Sequence, residues 1–591
     1  MGVTIRLLGE PAIFDAAGCP VAMRGHKVWA LLARLLLARG AIERRELAAE
    51  LFPQADDPLG SLRGCLARLR RALGLPRILR GDPLKIVLPP DCDVDLARVD
   101  RHDFDIEQAG LLLEGMDSRA GPEFATWLLV ERSRLASLVE SRIRQETLQA
   151  LATAEPDRAI RLAGLGVRRS PFDEGAHVLL VKSLAMAGRD EAALDHVAAT
   201  EALFSTELGE RPSPALRSAA RRLISSPPLG ISRTAFVGSL MAAGLAALSA
   251  GASDAGIDCL RRAAQDGGAL GDPHLECKAL LELGAALVHA VRGHAEEGSI
   301  FLRQSVELAG ARGYSDIAAT ALRELGFVEA KAGRRPAAAD SLSQALALAG
   351  EGESLAGIHA VTAMNLADWG RAGEGLEHVA LAIDHARSSG NSRREIFALS
   401  IGARTLISIG RLEEARIWLN ACIAMVEEQR WLAFRPWPVA LLGEVQICQA
   451  QSAASGRSTL EEAFALSCQL GDSCWEGAVA RVLALSLIAE GERPLAAEWL
   501  AEAHRRCTRY SDKYVAIEVE ILANQTENSQ ALGQSDQADA FARSWLVLAA
   551  RSHMDGHVER AAHFLAGGRK SAGRRGEARG PGDAAAGLAQ P

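Results

Sequence analysis

Hydrophobic and polar residues follow several distinct rhythms along this chain. Residues 3–24 alternate and turn like short strands: Val3-Thr4-Ile5-Arg6-Leu7-Leu8, Ala12-Ile13-Phe14, an Asp15-Ala16-Ala17-Gly18 turn and Val21-Ala22-Met23. That pattern predicts a small antiparallel sheet. A helical period takes over at 26–39, breaks at Gly40, resumes at 43–51 and stops at Pro53. Asp57-Pro58 starts a third helix, with Asp57 as N-cap and Pro58 in its first turn. At 100° per residue, Leu62, Leu66, Leu69 and Leu73 form one narrow stripe of this helix, and Arg63, Gly64, Ala67 and Arg71 lie opposite. Residues 77–88 read as a hairpin turning at Gly81-Asp82.

Sheet, three helices and hairpin, in that order, predict a winged helix over residues 1–100. From about Asp103 the pattern is wholly helical: a long amphipathic helix begins at Glu131 and runs to about Leu151, and further helices follow Pro156 and Pro171, filling 101–225. Beyond residue 228, glycines recur at expected helix-to-helix turns: Gly251, Gly293, Gly333, Gly373, Gly410, Gly456, Gly491 and Gly533. A period near 40 with two amphipathic helices per unit predicts an α-solenoid over 229–566. Three units carry small residues seven before, five after and twelve after the turn glycine: Gly244/Gly251/Gly256/Ala263, Gly326/Gly333/Ala338/Ala345 and Ala484/Gly491/Ala496/Ala503. This spacing resembles the tetratricopeptide repeat, although most of that family's bulky aromatic positions are missing. From 567 to 591 the composition turns to Gly, Ala, Arg and Pro, which predicts a disordered tail with weak attraction for DNA.

Charge changes the picture locally. The chain carries a net charge of −8, yet residues 60–85 hold seven basic side chains against one acid, Asp82. Residues 1–100 balance to +3 and the remainder to −11, so a nucleic-acid partner belongs to the N-terminal unit alone. The ten cysteines form no CxxC and read as small buried hydrophobes in a reducing compartment. Residues 235–253 carry no charge over a length that would span a bilayer, but Ala, Gly and Ser dominate them, so they read as the first soluble unit of the solenoid.

In detail, Leu7-Leu8-Gly9, Leu31-Leu32-Ala33-Arg34-Leu35-Leu36-Leu37, the stretch from Glu46-Leu47 to Leu51-Phe52, and above all Leu69-Arg70-Arg71-Ala72-Leu73-Gly74 resemble the OmpR/PhoB-type DNA-binding domain. The version they resemble is that of the SARP family of bacterial antibiotic-regulatory activators. The resemblance implies a third helix lying in the major groove and a hairpin reaching the adjoining backbone. With helical phase it assigns Arg63, Ala67 and Arg71 to the base side, and Arg68, Arg70, Arg80 and Lys85 to phosphates. Gly64 departs from the expected pattern, since a mid-helix glycine costs about 1 kcal/mol relative to alanine. A second resemblance, to the bacterial transcriptional activator domain of the same regulators, covers 159–217. It is carried by Arg169-Ser170-Pro171-Phe172-Asp173-Glu174, Ala187-Gly188-Arg189-Asp190-Glu191-Ala192-Ala193-Leu194 and Glu207-Leu208-Gly209-Glu210-Arg211-Pro212-Ser213-Pro214-Ala215-Leu216, with His196 near the family's usual tyrosine.

No GxxxxGK[ST], HExxH, GxSxG or zinc spacing occurs, so no catalytic residue, metal ligand or cofactor is assigned. The first strand begins so early that no preceding receiver domain is expected, and Arg6 and Glu10 interrupt the opening apolar run, so no signal peptide is expected. The fold class expected is mainly α: an N-terminal winged helix (α+β), a helical activator domain and a tetratricopeptide-like α-solenoid. The family implies a cytoplasmic transcription activator with promoter DNA, RNA polymerase and a second copy of itself as partners. An unknown protein or small-molecule signal would bind the array, where Arg430, Trp431, Arg435 and Trp437 form a candidate patch; the alternative is that the tryptophans fill gaps between irregular repeats. Two other readings stand beside this one: an interaction scaffold whose winged helix does not bind DNA, and a membrane-anchored sensor using 235–253.

Overall fold

Each of these rhythms finds its own surface to bury. A computed structural model of the chain describes residues 3–577 apart from 39, 75–77, 90, 100–103, 117–121, 221–232, 250–251, 351–352 and 450–452. Strands β1 (Thr4–Arg6) and β2 (Ala12–Phe14) pair antiparallel, Ile5 opposite Ile13. Alternation turns Ile5 and Leu7 inward against helices α1 (His26–Leu36), α2 (Arg44–Leu51) and α3 (Pro58–Leu73). The hairpin β3 (Leu79–Arg80) and β4 (Lys85–Ile86) follows. One strand escaped the sequence reading: β5 (Asp93–Val94) returns parallel to β1, and Asp95 just beyond it accepts hydrogen bonds from the backbone N–H of Leu7 and Leu8, both at 2.7 Å.

The middle segment differs from expectation at its start. Residues 104–116 are largely irregular, with one 3-10 turn at Ile106–Gln108 and a bridge from Leu112 to Leu8. Helix α4 (Pro122–Ala152) begins nine residues before Glu131, because Phe124 and Leu128 extend its apolar stripe into the N-terminal core. Helices α5 (Pro156–Arg169), α6 (Glu174–Met186), α7 (Asp190–Glu207) and α8 (Pro214–Ala219) complete the segment.

The array consists of eight antiparallel helix pairs, from Arg233–Ser249 with Ser253–Leu270 to Val515–Ala531 with Ser535–Arg551, and a last helix, Asp555–Glu577. The expected turn glycines need two corrections. Gly373 and Gly456 lie inside helices Ala372–Ser388 and Ala453–Leu470, and the fourth turn is made by Gly370 at φ 88°. Gly251 lies outside the described residues. A second glycine series, unnoticed in the sequence, ends the second helix of several pairs in the left-handed region, and an Asx residue then caps the next helix: Gly271-Asp272, Gly390-Asn391 and Gly471-Asp472. The tail expected to be disordered from 567 is helical as far as Glu577; 578–591 lie outside the described residues.

The helix Arg233–Ser249, which takes in most of the uncharged run, packs on Ser253–Leu270 through Gly244 and Gly256, whose added Cβ atoms would each meet a leucine within 2.8 Å. No helix among the described residues is long and apolar enough to cross a membrane.

The array also winds back onto itself. Arg335, fully buried, lies 3.3 Å from Asp368, and Asp368 accepts a 2.9 Å hydrogen bond from Tyr514 ahead of the eighth pair. Arg404 of the fifth pair bridges Asp368 and Glu520 of the eighth, and Arg292 of the second pair meets Asp472 at the seventh.

Helix Ala295–Arg312 carries its own control for close packing. A Cβ at Gly298 would sit 2.8 Å from the Gly284 carbonyl oxygen, whereas one at Gly310 meets nothing within 4 Å. Gly298→Ala is expected to destabilise by about 1–3 kcal/mol through overpacking. Gly310→Ala is expected to be neutral or to stabilise by up to about 1 kcal/mol. Thermal unfolding followed by circular dichroism compares them directly.

Candidate nucleic-acid interface and its link to the repeats

Helix α3 separates its two faces as its sequence period requires. Leu62, Cys65, Leu66, Leu69 and Leu73 are buried; Arg63, Gly64, Ala67, Arg68 and Arg71 are exposed, and Arg70 is half-buried. The Asp57 side chain accepts from Gly60 N–H at 2.8 Å, and Gly74 closes the helix at φ 64°. Arg63 also reaches Asp57 at 3.4 Å, but both side chains are largely in water, so the pair is worth little. Arg68 folds back along its helix, donating to the Gly64 carbonyl at 3.4 Å, and lies beside Gly25. That position on the flank suits a phosphate contact better than a base contact. Among the described residues, no hydrogen bond or ion pair joins α3 to anything beyond residue 100.

The hairpin is pinned beside this helical unit. Ile42 and Leu84 exchange backbone hydrogen bonds, and the Arg44 guanidinium donates to the Gly81 carbonyl at 3.0 Å. Sequence reasoning passed over Arg44, whose adjacency to Arg45 was the available signal. Lys85 is exposed and stands opposite Arg80 in the hairpin register; the Arg80 side chain lies outside the described residues.

Helix α4 connects this unit to the array. Its 31 residues span about 46 Å. At its start Trp127 stacks under the Arg34 guanidinium at 5.4 Å. Two residues beyond Leu128 it meets the array, where Val130 packs in the core; nearly two turns beyond Leu128 Arg134 pairs with Asp555 at 2.6 Å, and Ser137 donates to the Arg551 carbonyl at 2.8 Å. Further along, Arg144 bridges Glu296 at 3.0 Å and Glu329 at 2.7 Å. Burial would raise the Glu329 carboxyl, but Arg144 and Arg334 beside it hold it below the ordinary value.

The aromatic candidates of the array do not form one open patch. Trp437 is in the core, stacked on Trp475 at 4.9 Å, and Arg435 is 3.5 Å from Glu427. Trp431 is half-buried between Phe434, 4.5 Å away, and the Arg393 guanidinium; Arg430 is exposed, in the left-handed turn position that glycine fills elsewhere. These tryptophans fill the space at an irregular junction between repeats. His196 stacks on the buried His177 with ring nitrogens 3.0 Å apart, so it replaces the expected tyrosine within a packed site. Among the described residues, no group of three or more His, Cys, Asp or Glu side chains is arranged to hold a metal ion.

Residues 104–224 match the family model described as the bacterial transcriptional activator domain. No curated protein matches the chain. Several solved structures are similar at low identity. EmbR of Mycobacterium tuberculosis, in complex with a low-affinity phosphopeptide, is 19% identical with a TM-score of 0.31, over 41% of this chain and 71% of that one. The apo form of the quorum sensor NprR from B. thuringiensis is 14% identical with a TM-score of 0.36, over 62% and 98%. A Rap protein complexed with competence and sporulation factor is 13% identical with a TM-score of 0.34, over 71% and 99%. The family match covers the segment from just before α4 to just after α8, leaving the N-terminal unit and the array to be interpreted from their own residues.

Removing Arg144 strips one of two cations from a pair of buried carboxylates. Arg144→Ala is expected to destabilise by up to about 3 kcal/mol. Because the Glu329 carboxyl is held below its ordinary 4.5, its contribution is complete above that pH and lost as pH falls toward the folded value. Glu329→Gln should therefore flatten the fall of the melting temperature below pH 4.5.

Proposed function

We propose that this protein is a DNA-binding transcription regulator, an activator, whose first hundred residues act as an OmpR/PhoB-type winged helix of the SARP kind. In this reading α3 enters the major groove with Arg63, Ala67 and Arg71 toward the bases. Arg68, Arg70, Arg80 and Lys85 take phosphates, the last two from the hairpin as wing. The observation that carries it is the division of α3 into a buried leucine face and a free cationic face, directly ahead of a segment matching the activator domain. The protein works in the cytoplasm by binding rather than catalysis, as a dimer on repeated half-sites that recruits RNA polymerase. The array receives the signal, and α4 passes it on.

Gel-shift titration against promoter DNA in rising salt tests the reading. Affinity should fall linearly in log–log form. Arg71→Ala should weaken specific binding by about 1–3 kcal/mol, and Lys85→Ala should weaken all sequences alike while lowering the salt slope by about 1. Gly64→Ala, which meets no atom within 4 Å, should stabilise α3 yet weaken binding if the backbone approaches the groove there. Promoter output unchanged after neutralising Arg63, Arg68 and Arg71 together would favour the scaffold reading instead.

A further inference from the structure

A cavity of about 550 Å³ lies where the activator segment meets distant parts of the wound array. Its walls come from α4, the α5–α6 connection and the end of α7 on one side, and from Arg334, residues 508–515 and the eighth helix pair on the other. Six cations line it: Arg144, Arg211, Arg334, Arg509, Lys513 and Arg551, against the carboxylates of Glu140, Asp173, Glu174 and Glu210. Most are already engaged. Arg144 and Arg334 serve Glu296 and Glu329, Arg551 serves Glu140, and Lys513 lies 2.8 Å from Glu518. Glu174 is bound by the Ser213 N–H and hydroxyl, and Asp173 caps Gly175 at 3.0 Å. What is left is Arg211, which forms no ion pair among the described residues, the outer edge of Arg509, and Glu210. Arg505 and Arg506 stand just outside, both paired with Glu502, around a shallower space of about 380 Å³.

The activator-segment side of the cavity also carries apolar surface. Phe172 and Leu208 are each 50% exposed, and Phe172 meets the buried Phe204 edge-on at 6.3 Å. Together Phe172 and Leu208 leave an apolar patch on the cavity wall, the kind of surface that marks a binding groove. We propose that this cavity binds an anionic amphiphile, with its apolar body on Phe172, Phe204 and Leu208 and its acidic group at Arg211 and Arg509. The proposal rests on the reading of the array as the signal-receiving part and locates the signal at the junction with α4. Since α4 supplies Ser137, Glu140 and Arg144 to the wall, occupancy acts on the seating of the helix that leads to the N-terminal unit.

Fluorescence titration of the full chain with 8-anilinonaphthalene-1-sulfonate tests it. One saturable site is expected, weakened at least about ten-fold by Phe172→Ser and by Arg211→Gln with Arg509→Gln. N-phenyl-1-naphthylamine, which lacks the sulfonate, should bind correspondingly less tightly. Wild-type affinity in both variants, equal affinity for the uncharged probe, or many weak sites would each overturn the proposal. Should Phe172→Ser lose its helical melting transition, Arg211→Gln alone, a change at an exposed side chain, carries the decision. Loss of promoter binding with the probe still held would tell against the DNA-binding reading and leave the cavity standing.

Discussion

Closure of the repeat array rests on a cation placed beside each carboxylate that closure removes from water. Asp368 shows the arrangement most fully: burial would raise its carboxyl, and Arg404 and Arg335 with the Tyr514 hydroxyl hold it below the ordinary range. Glu329, Glu520, Glu476 and Asp472 are matched in the same manner by arginines from other helices or from distant turns. Such buried pairs add little net stability against an apolar alternative, yet losing one partner strands a charge, so they specify one winding over its neighbours. The consequence for function is geometric. Arg335, Asp368 and Tyr514 occupy the interior of the winding, and a cavity of about 550 Å³ lies at the junction with α4.

Helix α4 makes that junction matter. It is one continuous rod whose first turns belong to the N-terminal core and whose later turns belong to the array, with Arg132 tying it to the Leu112 and Leu113 carbonyls at 2.7 and 2.8 Å along the way. In the proposed reading, a ligand would change DNA affinity only as far as it bound two arrangements of this rod unequally. The pairs Arg134–Asp555 and Arg551–Glu140, which hold the rod to the array, are each partly open to water.

What could be read in the sequence was local. The Asp57 cap, the Pro58 start, the Gly74 stop and the leucine stripe of α3 are all set within a few residues, and the structure reproduces them. The repeat period was legible for the same reason, since a left-handed turn requires glycine at most such positions; Gly370 was mistaken for Gly373 because both are small and three residues apart. Long-range pairing was not legible. β5 joins β1 across nearly ninety residues, and Arg335, Asp368 and Arg404 read in sequence as ordinary solvated charges on amphipathic helices. Trp437 misled in the opposite direction, because arginines and aromatics gathered in sequence suggest a ligand surface, whereas stacking on Trp475 puts that ring in the core.

The balance of charge between the parts then shapes how a duplex would approach. The first hundred residues carry +3 and the rest −11, while only two residues of α4, about 3 Å of helix, separate Leu128 in the N-terminal core from Val130 in the core of the array. That distance is well inside the Debye length of about 10 Å at 0.1 M salt, so the field of the array's near end is felt at the N-terminal unit rather than screened away. In the proposed reading, repulsion of phosphate by the array and its attraction to α3 would act together, favouring approach from the cationic face and weakening any docking that lays the duplex along the repeats.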